Sequence, residues 1–232
     1  MEFLLWFVER EGAPPDAGDG FSEMGQLARE LASQGKLRRG APLGPDSDGA
    51  LVRVRGGEAF VSDGPFAESR EVVGGFWIVD VASRDEAIAI ARRSPHARYG
   101  TVEVHPIHFR NTYTDKEEGT PFLLAFRMEE GLCDPDSAKL REMVEFGAAL
   151  ASQGILLETA PLTADPLPAR IEVRGGKALV TDGPFAEAKE AVGGYSLVRC
   201  ADRAAAVELA KRYPHARWGP VEVRQILFFD RV

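Results

Sequence analysis

Cysteine is scarce in this 232-residue chain: there are two, Cys133 and Cys200, neither in a CxxC pair nor at matching points of the repeat described below. That excludes a disulfide framework and a zinc knuckle, and it suits a reducing cytoplasm. Basic charge is short as well. Lys and Arg number 28 against 36 Asp and Glu, a net charge of −8, whereas binding along a phosphate backbone needs clustered cations to displace counterions. Nucleic acid is therefore not an expected partner. The opening run Met1-Glu-Phe-Leu-Leu-Trp-Phe-Val-Glu-Arg is bracketed by acid and lacks a basic n-region, and nothing approaches the roughly 18 apolar residues of a membrane span. No P-loop, GxGxxG, GxSxG or HExxH pattern occurs, so nucleotide binding, esterase and zinc-protease chemistry lose their usual signatures and no cofactor is expected. His105 and His108 stand three apart on an expected strand and point to opposite faces, so no metal is assigned.

What is present is a repeat. Val61-Ser-Asp-Gly-Pro-Phe-Ala-Glu-Ser-Arg-Glu-Val-Val-Gly-Gly75 returns as Val180-Thr-Asp-Gly-Pro-Phe-Ala-Glu-Ala-Lys-Glu-Ala-Val-Gly-Gly194. The same offset of 119 residues carries Phe3-Leu-Leu onto Phe122-Leu-Leu and Ala32-Ser-Gln-Gly onto Ala151-Ser-Gln-Gly, with no gap. A period this long is a whole small domain with its own core, not a solenoid unit, so two domains are expected over residues 1–112 and 120–232. A hydrophobic fraction of 44% supports a folded chain.

Each copy spells the same elements. Phe3 to Val8 and Phe122 to Phe126 are apolar runs too short for helices and predict central strands. Helical spacing follows at Phe21, Met24, Leu27, Ala28 and Leu31, and at Leu140, Met143, Phe146 and Leu150; Asp134-Pro135 offers an N-cap with proline after it. Leu37 to Leu43 and Ile155 to Leu162 are extended. Gly56-Gly57 and Gly175-Gly176 sit between short strands as hairpin turns. Strands from Phe76 and Tyr195, helices Arg84 to Arg93 and Arg203 to Arg212 stopped by Pro95 and Pro214, and strands from Val102 and Val221 complete a split βαβ plan with an inserted hairpin. Arg110 to Thr120 is a polar linker.

Asp-Gly-Pro-Phe-Ala-Glu, the following Gly-Gly-Phe or Gly-Gly-Tyr, and the closing Tyr99-Gly-x-Val-Glu-Val resemble the DGPF branch of the YCII-related domain family over nearly all of both halves. The resemblance implies α+β, ferredoxin-like domains of the dimeric α/β-barrel type, here joined as an intramolecular pseudo-dimer; further self-association is left open. It also implies neighbours among alternative sigma factors, hence a regulatory alternative tied to stress response. The wider family implies a His and Asp pair with its histidine in the first helix. Neither first helix here contains histidine, so that pair is absent.

Asp63 and Asp182 lead the candidates for chemistry, because a carboxylate before a rigid Gly-Pro corner is aimed in a fixed direction and can act as base or ligand anchor; an Asx-turn is the competing structural account. His96 and His215, in Pro-His-Ala-Arg words between helix and last strand, are candidate proton-transfer groups, with capping of the last helical carbonyls as their structural alternative. Arg55 and Arg174 suit an anionic substrate, Phe66 and Phe185 a pocket wall, and Glu68 and Glu187 a lid, all as ligand-binding candidates. Glu103 and Glu222 alternate with apolar neighbours, for which a wet sheet face is the simpler account than a cavity wall. The leading expectation is an unidentified small molecule bound in each half at the Asp-Gly-Pro-Phe loop, with acid–base catalysis by carboxylates; the alternative is ligand binding without catalysis.

Overall fold

A computed structural model describes residues 1–10, 20–65, 71–113, 117–128, 138–162, 168–183 and 191–229. The first copy contributes β1 (Glu2–Arg10), α1 (Gly20–Ser33), β2 (Leu37–Pro42), β3 (Ala50–Arg55), β4 (Glu58–Asp63), β5 (Glu71–Asp80), α2 (Arg84–Arg93) and β6 (Thr101–Ile107), and the linker holds β7 (Asn111–Thr112). The second contributes β8 (Thr120–Met128), α3 (Ala138–Ser152), β9 (Leu156–Pro161), β10 (Ala169–Arg174), β11 (Lys177–Asp182), β12 (Ala191–Cys200), α4 (Arg203–Arg212) and β13 (Val221–Gln225). The proposed N-cap at Asp134 lies outside the described residues.

Within each copy the antiparallel order β6-β1-β5-β2, or β13-β8-β12-β9, is that of a ferredoxin-like α+β sheet. The continuous apolar runs exist because the central strands are buried on both faces. Phe3, Leu5 and Phe7 of β1 pack under α1 and α2, while Leu4, Trp6 and Val8 face the other sheet. In β8, Phe122, Leu124 and Phe126 pack under the second copy's helices, and Leu123 and Ala125 face the first sheet. The two sheets thus meet face to face, with helices outside. The helix starts obey their sequence: the Ser83 hydroxyl accepts from Glu86 N–H at the head of α2, and the Asp202 carboxylate accepts from Ala205 N–H at the head of α4.

The hairpins do not stay with their own copy. β10 pairs with β6, and β3 pairs with β13, so the sheet orders become β11-β10-β6-β1-β5-β2 and β4-β3-β13-β8-β12-β9-β7. Ala169 and Ile171 belong to the core under α1 and α2, and Ala50 and Val52 to the core under α4. Each copy therefore borrows part of its core from the other, and the sheets cross the copy boundaries at the hairpins. Physically, the exchange covers the edges of β6 and β13 that would otherwise stand open.

Three local expectations change. The motif's tail is not loop: Glu71–Gly75 already belongs to β5. Phe21 is exposed rather than on the buried stripe of α1, and meets Phe228 edge to face. The linker is tied down, for β7 pairs with β9 and Arg110 is drawn into an ion-pair cluster.

Candidate functional site

Asp63 and Asp182 end the exposed strands β4 and β11, and each reaches across to the opposite copy. The Arg203 guanidinium, on the first residue of α4, donates to Asp63 and to the carbonyls of Asp48 and Gly49 (2.8 Å each); Arg84, on the first residue of α2, donates to Asp182. With Asp63 and Asp182 side chains 72% and 63% exposed, such pairs contribute about 0–1 kcal/mol each. They fasten the exchanged hairpins to the helix heads. Gly64 has a packing role as well, since a Cβ there would lie 2.0 Å from the Asp46 carbonyl oxygen.

Among the described residues, neither His96 nor His215 faces a carboxylate. Nε2 of His96 lies 2.9 Å from the Val8 carbonyl oxygen and Nε2 of His215 2.9 Å from that of Arg127, so in each ring Nε2 donates and Nδ1 is left as the acceptor. The helix-capping alternative fails too, because the accepting carbonyls belong to β1 and β8. The Pro-His-Ala-Arg-x-Gly words follow from this contact: a Cβ at Gly100 would stand 2.3 Å from His96 Nε2 and 2.5 Å from the Val8 oxygen, and one at Gly219 2.3 Å from the Arg127 oxygen. Burial pushes both imidazoles down, for His215 with the Lys139 charge adding to it, so both are neutral at pH 7.

Arg55 is exposed at its hairpin end, and Arg174 donates to Glu172 at 2.9 Å, likewise in solvent. Phe66, Glu68, Phe185 and Glu187 lie outside the described residues. Glu103 and Glu222 are not on a wet face. Both are buried against the opposite sheet, Glu103 with His105 (2.8 Å) and Arg170 (2.8 Å), Glu222 with Arg127 (2.8 Å) and Arg224 (3.2 Å). Burial alone would raise the Glu103 carboxyl, but the hydrogen bond from His105 and the charges of His105 and Arg170 outweigh it and hold it at about 2.

A further buried polar group is one the sequence did not suggest. Glu158, wholly inaccessible, accepts from the Tyr195 hydroxyl (2.7 Å) and from Arg110 (2.8 Å), and pairs with Arg39 (3.0 Å). Arg39 and Glu158 occupy equivalent positions of the two copies, as do Phe76 and Tyr195, whose rings are 6.4 Å apart. Two identical subunits would set like charges against each other there. In this chain the two positions differ and are complementary.

A cleft of about 620 Å³ opens between α3 and the second sheet. Met128 of β8, Thr159 to Pro161 of β9 and Gly193-Gly194 of β12 form its floor, with Leu140, Met143, Val144 and Gly147 of α3 on one side. Phe109, Asn111, Tyr113, Phe126, Ala148, Tyr213, His215, Trp218 and Lys139 complete its described lining. The motif's Gly-Gly end thus reaches the cleft, while Asp182 does not line it. Beneath lies a one-way hydrogen-bond chain. Ser196 donates to Thr159, and Thr159 to the Tyr195 carbonyl, so the Tyr213 hydroxyl is left to donate to Ser196 at 2.7 Å. Sequence reasoning passed over Lys139, Met128 and Trp218 because it sought what the copies share. The available signal was where they differ, since Gly20, Glu9 and Tyr99 stand at those positions in the first copy.

The sequence profile of the YCII-related domain family matches the chain twice, over residues 1–109 and 120–230. A relative from Rhizobium meliloti (strain 1021), itself described as uncharacterized, is 39% identical over 87 residues, spanning 37% of this chain and 70% of the relative. Among solved structures, one named for chlorite dismutase aligns over 98% of this chain and 94% of its own at 10% identity and TM-score 0.41. One of an anthrone oxidase-like protein aligns over 99% and 92% at 8% identity and TM-score 0.37. At those scores neither carries an argument about activity.

Proposed function

The chain belongs to the YCII-related domain family in both halves, and on that premise we propose that it is a small-molecule-binding protein whose ligand occupies the cleft between α3 and the second sheet. The observation that carries this reading is the cleft itself: a concave, mainly apolar space in the size range of ligand sites, into which a few polar groups converge. A net charge of −8 supports a small-molecule role over a nucleic-acid one.

In this reading His215 is the acid–base group. Its Nε2 is committed to the Arg127 carbonyl, so any proton exchanged with a ligand passes through Nδ1. Asp63 and Asp182 hold the exchanged hairpins in place and act on the site only through that frame. The second reading, binding without turnover as in a regulator, is favoured by one observation: among the described residues, His215 contacts no carboxylate that would orient it and stabilise its charged form.

Incubating the purified chain with a metabolite extract and identifying retained compounds by mass spectrometry tests the binding claim. Retention by the parent chain but not by Ala148→Phe, which fills the cleft from an exposed position, is the expected result. Retention by both would place the ligand elsewhere. For a retained compound, His215→Gln keeps an amide donor at the reach of Nε2 toward Arg127; loss of turnover with retained binding marks catalysis, and absence of turnover in the parent marks a binder.

A further inference from the structure

Among the described residues that line the cleft, the charge has one sign. Resting on the reading that this cleft takes a ligand, we propose that it binds one small aromatic or apolar anion per chain, anchored by the Lys139 ammonium, and that the equivalent region of the first copy refuses it.

Among the described lining residues Lys139 is the one charged side chain and no carboxylate is present, in a chain whose acids outnumber its bases. Its Nζ stands 5.4 Å from the centre of the Trp218 ring, and its charge is felt at His215 on the same cleft. An anion bound there meets a cation already resting on an aromatic face. Phe109, Phe126 and Trp218 supply ring walls, while Met128 and Met143 supply polarizable thioethers that adapt to flat ligands. Phe109 and Val144 leave apolar surface open at the mouth, 44% and 51% exposed. An apolar body with a carboxylate or sulfonate at one end satisfies all of these at once.

The first copy reverses the charge at the floor. Glu9 stands where the second copy has Met128, and Gly20 where it has Lys139. A Cβ on Gly74 would lie 2.5 Å from the Glu9 carboxylate, and one on its counterpart Gly193 would lie 2.6 Å from Met128 Cγ. The same place above the same glycine therefore holds a carboxylate in one copy and a thioether in the other. Arg29, at the position of Ala148, lies along α1 beside Gly25 rather than on that floor. A carboxylate ligand entering there would meet the like charge of Glu9.

Calorimetric titration of the full chain with 2-naphthoate and with its neutral analogue 2-naphthalenemethanol tests this. The expected result is one naphthoate site per chain, weakened about tenfold by Lys139→Gln and abolished by Met128→Glu, with the alcohol unaffected by Lys139→Gln. Lys139 is exposed, so its substitution removes charge without disturbing the core. Two equivalent sites, naphthoate affinity unchanged in Lys139→Gln, or no binding of naphthoate overturns the proposal. Ala148→Phe separates the two levels: equal binding of both probes that this variant blocks sinks only the anion assignment, and binding it leaves intact sinks the cleft as the site.

Discussion

Glu158→Leu is the most informative single perturbation of the frame that carries the cleft. Glu158 is 0% exposed, and its loss leaves the Arg110 guanidinium, 13% exposed, and that of Arg39, 23% exposed, without their shared anion and the Tyr195 hydroxyl without an acceptor. Breaking a buried pair by removing one partner costs about 3–5 kcal/mol. Arg110 retains Glu2, and Arg39 retains its place over the Phe229 ring, which favours the lower end, about 3 kcal/mol. For a chain of this size that is about 9 °C in melting temperature. Calorimetric melting of Glu158→Leu, Arg110→Met and the double variant measures it. The double variant removes one of the two stranded charges together with its cause, so it should lose about 2 kcal/mol less than the two singles added. A shift under about 2 °C in Glu158→Leu, or strict additivity, would refute the reasoning.

Glu103 predicts the acid limb. Its folded-state value of about 2 lies below the ordinary 4.5, so its contribution is complete above pH 4.5 and is lost as pH falls toward 2. It amounts to about 3 kcal/mol, and Glu103→Gln should flatten unfolding in that window; an unchanged slope would contradict the assignment. Asp63→Asn with Asp182→Asn should move the melting temperature by under about 4 °C because both clasps are exposed, and a larger fall would show them to be structural mainstays. Amide hydrogens of β4 and β11, edge strands with exposed side chains throughout, should exchange faster than those of β1 and β8; equal protection would count against weakly held hairpins.

The repeat, the split βαβ order and nearly every element were legible because each rests on local periodicity, and the doubly apolar strands Phe3 to Val8 and Phe122 to Phe126 announced burial on both faces. The hairpin exchange was not legible. Nothing in Ala50 to Asp63 distinguishes pairing with β6 from pairing with β13, because the partner strands are near copies of each other. The contacts of Asp63 and the histidines were hidden for a related reason. Their partners, Arg203 and the carbonyls of Val8 and Arg127, lie 88 or 140 residues away in sequence and are invisible to local patterns. Glu103 and Glu222 looked like wet-face acids because alternation gives the face and not what covers it. The cleft escaped because identity between copies marks shared framework, whereas Lys139 and Met128 mark divergence.

Native mass spectrometry of the chain as purified from its producing cell tests the central claim most directly. One small molecule bound per chain, absent from Ala148→Phe prepared in the same way, is the predicted result. Two ligands per chain, none, or a ligand that persists in Ala148→Phe would contradict it.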